Sequence, residues 1–172
     1  LPIIRNFCLV NYFVVRQNPN YYIDKEYSVS VVIPARNEAG NIENAVTRMP
    51  KLGKSTEIIF VEGHSKDNTR EEIKRVMRRY KNKKNILLVD QGNGKGKADA
   101  VRKGFAKATG EILIILDADL TVAPEELQKF YQLLRTNKSE FVSGSRLVYP
   151  LEKDAMRFLN KDHEGWKSLP QH

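Results

Sequence analysis

From Ser28 to Leu134 two hydrophobic patterns take turns along the chain. Strand-like runs occupy residues 28–35 (SVSVVIPA), 56–62 (TEIIFVE), 85–89, 112–116 (ILIIL), apolar without alternation, and 141–145. Such runs suit strands of a parallel sheet, which is covered on both faces and therefore needs no polar side. Between them, apolar residues recur at helical spacing: Ile42, Ala45, Val46 and Met49; Ile73, Val76, Met77 and Tyr80; Ala98, Val101, Phe105 and Ala108; Leu127, Phe130, Tyr131 and Leu134. The punctuation agrees. Pro50 ends the first helix, Gly110 closes the third, and Pro124 stands in the first turn of the fourth. Glu71 and Glu72 open the second helix and Arg78, Arg79 and Lys81 close it, as the helix dipole favours. Strict alternation of strand and helix predicts an α/β fold, three layers α/β/α and Rossmann-like, with a mainly parallel sheet.

In such a sheet ligands bind beyond the carboxyl ends of the strands. The fourth run ends there in Asp117-Ala118-Asp119. A buried strand cannot carry charge, so the pair marks where the chain surfaces, and the two-residue repeat sends both carboxylates to one side. Two hard oxygen ligands in one space suit Mg²⁺ or Mn²⁺ shared with a diphosphate, because a small divalent ion keeps positions open for phosphate oxygens. The competing reading is that one aspartate caps the next helix and the other is solvated. The other strand ends carry PARNE, EGHSKDN, GNGKGK and GSR, so carboxylates and cations should share one rim.

Other chemistries find less support. The GNGKGK loop fits neither the P-loop, which would need Gly at Gln91 and Ser or Thr at Ala98, nor the dinucleotide fingerprint, which would need Gly at Lys97 and a place after the first strand. Lys95 and Lys97 are left between an anion-binding role and a mobile surface loop. His64 has no second His or Cys near it at ligand spacing. No nucleophile elbow, H-E-x-x-H or paired C-x-x-C occurs, and an aspartyl-phosphate enzyme would carry its D-x-D on the first strand. Metal-assisted group transfer from a diphosphate donor remains.

The net charge of +8 is concentrated: residues 66–107 hold fourteen Lys and Arg against five Asp and Glu. That surplus could serve nucleic acid, an anionic membrane or phosphorylated substrates, with a solvated helix face as the plain alternative. The lone Cys8 fits a reducing compartment. The opening LPIIRNFCLVNYFVV is apolar but interrupted by Arg5, Asn6 and Asn11 and is short of the roughly 20 residues of a membrane span. Since the chain begins at Leu1, it reads as a piece of a longer protein.

With these features in hand, VVIPARNEAGNI, VEGHSKDNT, GKGKADAVRKGFAKATGEILIILDADL and VSGSRLV, in that order over about 120 residues, resemble family 2 glycosyltransferases of the GT-A fold, most of all their dolichol-phosphate mannose synthase-like members. The resemblance implies that Pro34, Ala35 and Glu38 line a nucleotide, with Arg36 where an aromatic residue is common. Glu62 and Gly63 stand where the family usually has two aspartates, one of them gripping base or ribose. Asp117, Ala118 and Asp119 match the metal and diphosphate motif that carries catalysis, and Arg146 matches a basic residue facing the donor phosphates. The implied reaction is inverting sugar transfer from a GDP- or UDP-sugar, with Mg²⁺ or Mn²⁺. A polyprenyl (dolichyl) phosphate acceptor is already anionic and needs no strong base.

The basic middle of the chain would then suit an anionic membrane surface, giving a cytoplasmic protein, peripheral at the membrane face. Three segments are expected: an apolar entry and linker (1–27), the nucleotide-binding half of the domain (28–160), and a tail (161–172) unlike the family, so that the acceptor half is truncated. Two rivals stand beside the enzyme. One is a non-catalytic nucleotide-sugar-binding or scaffolding module. The other is a basic nucleic-acid binder, disfavoured because no aromatic platform or recognition helix accompanies the charge.

Overall fold

A computed structural model describes residues 25–144, nearly all within the compact unit Val14–Val142. The apolar runs become four strands: β1 (Ser28–Ala35), β2 (Ser55–Glu62), β3 (Asn85–Asp90) and β4 (Ile112–Ile115). Four helices separate or follow them: α1 (Ile42–Thr47), entered through a 3₁₀ turn, α2 (Thr69–Tyr80), α3 (Gly96–Lys107) and α4 (Leu127–Arg135). Pro124 opens the 3₁₀ turn that leads into α4, where its missing N–H costs nothing.

All pairings are parallel and the strand order is β3-β2-β1-β4. The register sets Ala35 beside Glu62 and Glu62 beside Asp90, so three strands end level. On one face Val29, Val31, Ile33, Ile58, Phe60 and Ile114 pack with Ile42 and Val46 of α1, Ile73 and Val76 of α2, and Leu127 and Tyr131 of α4. Each such side chain, fully buried, contributes on the order of 1.5–3 kcal/mol. The opposite face is smaller: Val32, Ile59 and Val61 under Ala100 of α3.

Three expectations change. First, β4 is not buried on both faces: Leu113 and Ile115 are 44% and 46% exposed. They neighbour Ser30 and Val32 in the sheet, and α3 packs over β1 and β2, one strand short of them. Second, Ala98 is exposed; the buried seam of α3 runs through Ala100 and Gly104. A Cβ on Gly104 would come 2.3 Å from Val32 Cγ1 and 3.1 Å from Val61 Cγ2. The helix lies so close to the sheet that small residues make the contact, and hydrophobic spacing does not register them. Third, residues 141–144 form no strand, and Phe141 is 80% exposed. Residues 145–172 lie outside the described part, as do the apolar opening and Cys8. Among the described residues no helix is long and apolar enough to cross a membrane.

At the amino ends of the strands Glu111 collects Lys54 (2.7 Å), Lys25 (3.2 Å), and the N–H and hydroxyl of Ser28. The Lys54 ammonium, then the Ser28 amide and Lys25, hold its carboxyl at about 2, against an ordinary value of 4.5.

Two measurements test this packing. Gly104→Ala should lower stability by about 1–3 kcal/mol in urea unfolding, because the added methyl enters a filled space; an unchanged midpoint would refute the close approach. Glu111 is depressed in the folded state, so its contribution is complete above pH 4.5 and is lost as the pH falls toward 2. Glu111→Gln should therefore unfold at a lower temperature than wild type at pH 7, and the gap should close over that window.

Candidate functional site

Because the strands are parallel and level, the loops that follow them open on one rim. The first two are knitted together there. Asn37 and His64 take left-handed backbone, φ 58° and 57°, which turns the loops toward each other. The Asn37 amide donates to Ser65 Oγ (3.0 Å), the Lys66 amide to Asn37 Oδ1 (2.8 Å), and the Glu38 amide to Thr69 Oγ1 (2.8 Å). Asp67 accepts from the Thr69 hydroxyl and from the amides of Thr69 and Ala39, and these bonds, the hydroxyl first, hold its carboxyl below the usual range.

Between these loops and the ends of β3 and β4 lies a cleft of about 310 Å³. Eight of the residues expected at the site line it: Pro34, Ala35, Arg36, Glu38, Lys97, Asp117, Ala118 and Asp119. Asp117 forms an ion pair with Lys97, through Oδ1 and Nζ. Asp119 Oδ1 accepts from the amide and hydroxyl of Thr121 (3.0 and 3.1 Å), a local turn that sets its orientation. The next helical turn begins only at Pro124, so neither aspartate caps it. Glu38 accepts from the Asn41 amide group at 2.7 Å.

Glu62, Lys95 and Arg146 fall elsewhere. The Glu62 carboxylate is 7% exposed and accepts from the Ser65 amide (2.6 Å), with Arg70 Nη1 at 3.6 Å. Arg70 also holds Asp90 with both terminal nitrogens and draws its carboxyl below the usual range. Through Arg70, which joins the ends of β2 and β3 to α2, Glu62 is held away from the cleft lining. Lys95 lines the adjoining hollow with Arg36, His64 and Asn93. Arg146 lies outside the described residues.

One cleft residue escapes a motif-based reading: Gln91, 4% exposed. Its Nε2 donates to the Gly96 carbonyl (2.8 Å) and Asp99 Oδ2 (3.1 Å), holding the glycine loop to the start of α3. Its Oε1 lies 2.9 Å from where a Cβ on Gly63 would stand. The missing side chain at 63 and the glutamine that fills its place are one feature. A polar residue closing a strand just before a glycine loop is the only sequence signal for it.

The basic stretch divides between the two ends of the sheet. Lys95 and Lys97 are at the carboxyl rim, whereas Arg78, Lys81, Lys83 and Lys84 line a hollow beside the amino end of β3. The second group points away from the cleft and cannot share a flat surface with it.

The donors fit a small divalent cation. Asp117 and Asp119 line the cleft together with a third carboxylate, Glu38, which accepts from Asn41, and among the described residues no three or more His, Cys, Asp or Glu are grouped so as to hold a metal. An ion held by two protein oxygens keeps positions for phosphate and water, which is the habit of Mg²⁺ and Mn²⁺.

Fold and cleft together define a class, an α/β domain of the GT-A type with carboxylates and cations at the carboxyl edge of a parallel sheet. Residues 30–171 match the family described as glycosyl transferase family 2, and the chain belongs to that family. Dolichol-phosphate mannosyltransferase of Saccharomyces cerevisiae is 34% identical over 122 residues, covering 68% of this chain and 44% of that protein. The enzyme of the same name from Pyrococcus furiosus is 34% identical over 122 residues, covering 70% and 33%. A mannosyltransferase from Pyrobaculum calidifontis, solved in complex with GDP-mannose and Mn²⁺, has a TM-score of 0.56 and 27% identity, covering 78% of this chain and 38% of that one. The chain spans less than half the length of these relatives.

Gly63→Asp should lower thermal stability, since its Cβ displaces Gln91 and breaks bonds worth about 1 kcal/mol each. In a Gln91→Ala background the same change should cost clearly less. Additive effects in that double-mutant cycle would show that the two positions do not share a space.

Proposed function

We propose that this chain is the donor-binding part of a glycosyltransferase that moves a sugar from a nucleoside diphosphate to an acceptor, with a polyprenyl phosphate as the favoured acceptor. The observation that carries the reading is the convergence of Asp117, Asp119 and Lys97 with Pro34, Ala35, Arg36 and Glu38 on one cleft at the carboxyl edge of the sheet. The relatives support it, two being dolichol-phosphate mannosyltransferases and one a mannosyltransferase with GDP-mannose and Mn²⁺.

Asp117 and Asp119 would hold the divalent ion, which supplies positive charge to the diphosphate as it leaves. Lys97, which lines the same cleft and pairs with Asp117, would add a cation for phosphate oxygens. Ala35 and Ala118, both nearly fully buried, offer backbone without bulk where a flat nucleotide must pass. The acceptor oxygen attacks the anomeric carbon from the face opposite the diphosphate, giving inversion. A phosphate acceptor is anionic at neutral pH, so no strong base is required of the chain. Contact with a membrane surface follows from a lipid-linked acceptor, and the cleft-side rim, not the basic hollow at the amino end of β3, would face it.

A second reading, a module that binds nucleotide sugars without turning them over, draws on Gly63 and on the Lys97–Asp117 pair. Calorimetry with GDP- and UDP-sugars, with Mn²⁺ and then with EDTA, tests the proposal. We expect binding to one nucleotide that needs metal and is weakened about 10–100-fold or more by Asp117→Asn or Asp119→Asn, direct ligands mattering at least as much as their supporting partners. Absence of metal-dependent binding to any nucleotide sugar would overturn it. Sugar release on a polyprenyl phosphate separates enzyme from module.

A further inference from the structure

Lys97 stands in the first turn of α3, next to Gly96, the first residue of that helix, at φ 79°. Its ammonium crosses the cleft to Asp117 Oδ1. The neighbouring cation Lys103 is occupied otherwise, donating to the Gln91 carbonyl and lying 3.6 Å from Asp99 Oδ2. It is therefore Lys97 that neutralises the strand-end carboxylate. The pair is open to water, with side-chain exposures of 59% and 38%, so it is weak and can exchange partners.

A divalent ion on Asp117 would stand beside this ammonium and repel it. A nucleoside diphosphate, by contrast, would give the ammonium a new anionic partner. We propose that Lys97 is a resident substitute for the metal: it holds Asp117 before ligands bind, opposes a divalent ion arriving alone, and swings to the diphosphate when ion and nucleotide enter together. This deepens the reading of the cleft as a metal and nucleotide site and rests on it. The consequence is positive coupling between the two ligands, each lowering the cost of the other. Metal without nucleotide would bind poorly.

The test needs neither nucleotide nor turnover. Mn²⁺ is titrated into the chain and the free ion is followed by electron paramagnetic resonance. Lys97→Met should bind Mn²⁺ about three- to tenfold more tightly than wild type, and Lys97→Arg, which keeps the charge, should remain as weak as wild type. Lys97 is surface-exposed, so both variants should fold, and their melting curves check it. Unchanged or weaker Mn²⁺ binding in Lys97→Met overturns the proposal. So does Lys97→Arg binding as tightly as Lys97→Met, or no Mn²⁺ binding by any of the three proteins. Because nucleotide is absent, failure of nucleotide-sugar binding in calorimetry and failure here are separate results.

Discussion

Parallel pairing in level register is the constraint on which the site depends. Ala35, Glu62 and Asp90 lie side by side at the ends of β1, β2 and β3, and the Leu116 amide continues the ladder by donating to the Val32 carbonyl at 3.0 Å. Every loop that leaves those strands must then emerge on the same rim. Residues from Pro34 to Asp119, 85 positions apart by their numbers, share a cleft for that reason alone. An antiparallel strand in this sheet would have sent one of those loops to the other end.

The rim is held by charge as much as by backbone. Arg70 gathers Glu62 and Asp90, so one guanidinium from α2 fixes the ends of two strands. Asn37, Ser65, Asp67 and Thr69 tie the first loop to the second. These groups are spent on one another, while Asp117, Asp119 and Lys97 line the cleft. Carboxylates near the cleft thus divide into those that tie its loops together and those that line it. Glu62, bonded to the Ser65 amide and beside Arg70, belongs to the first group.

The two faces of the sheet are unequal. Three helices cover one face; α3 covers the other over β1 and β2, close enough that Gly104 meets Val32. This close approach brings the start of α3, and Lys97 with it, up to the end of β4. The Ala100–Gly104 seam therefore helps set how close Lys97 comes to Asp117.

The strands β1 to β4, the four helices and their alternation were legible in the residues, because period and punctuation are local properties. The place of Asp117 and Asp119 at a strand end was legible for the same reason, and their convergence with PARNE followed from topology. The tertiary structure alone decided that Glu62 turns to Arg70, that Gln91 fills the space above Gly63, and that Lys97 rests on Asp117. It also decided that Leu113 and Ile115 stay exposed, that Ala98 lies outside the buried seam of α3, and that residues 141–144 form no strand. These outcomes depend on how separate elements meet, or fail to meet, which no local pattern encodes. Periodicity says which way a residue leaves its own element; what it meets there is set by how closely the elements pack.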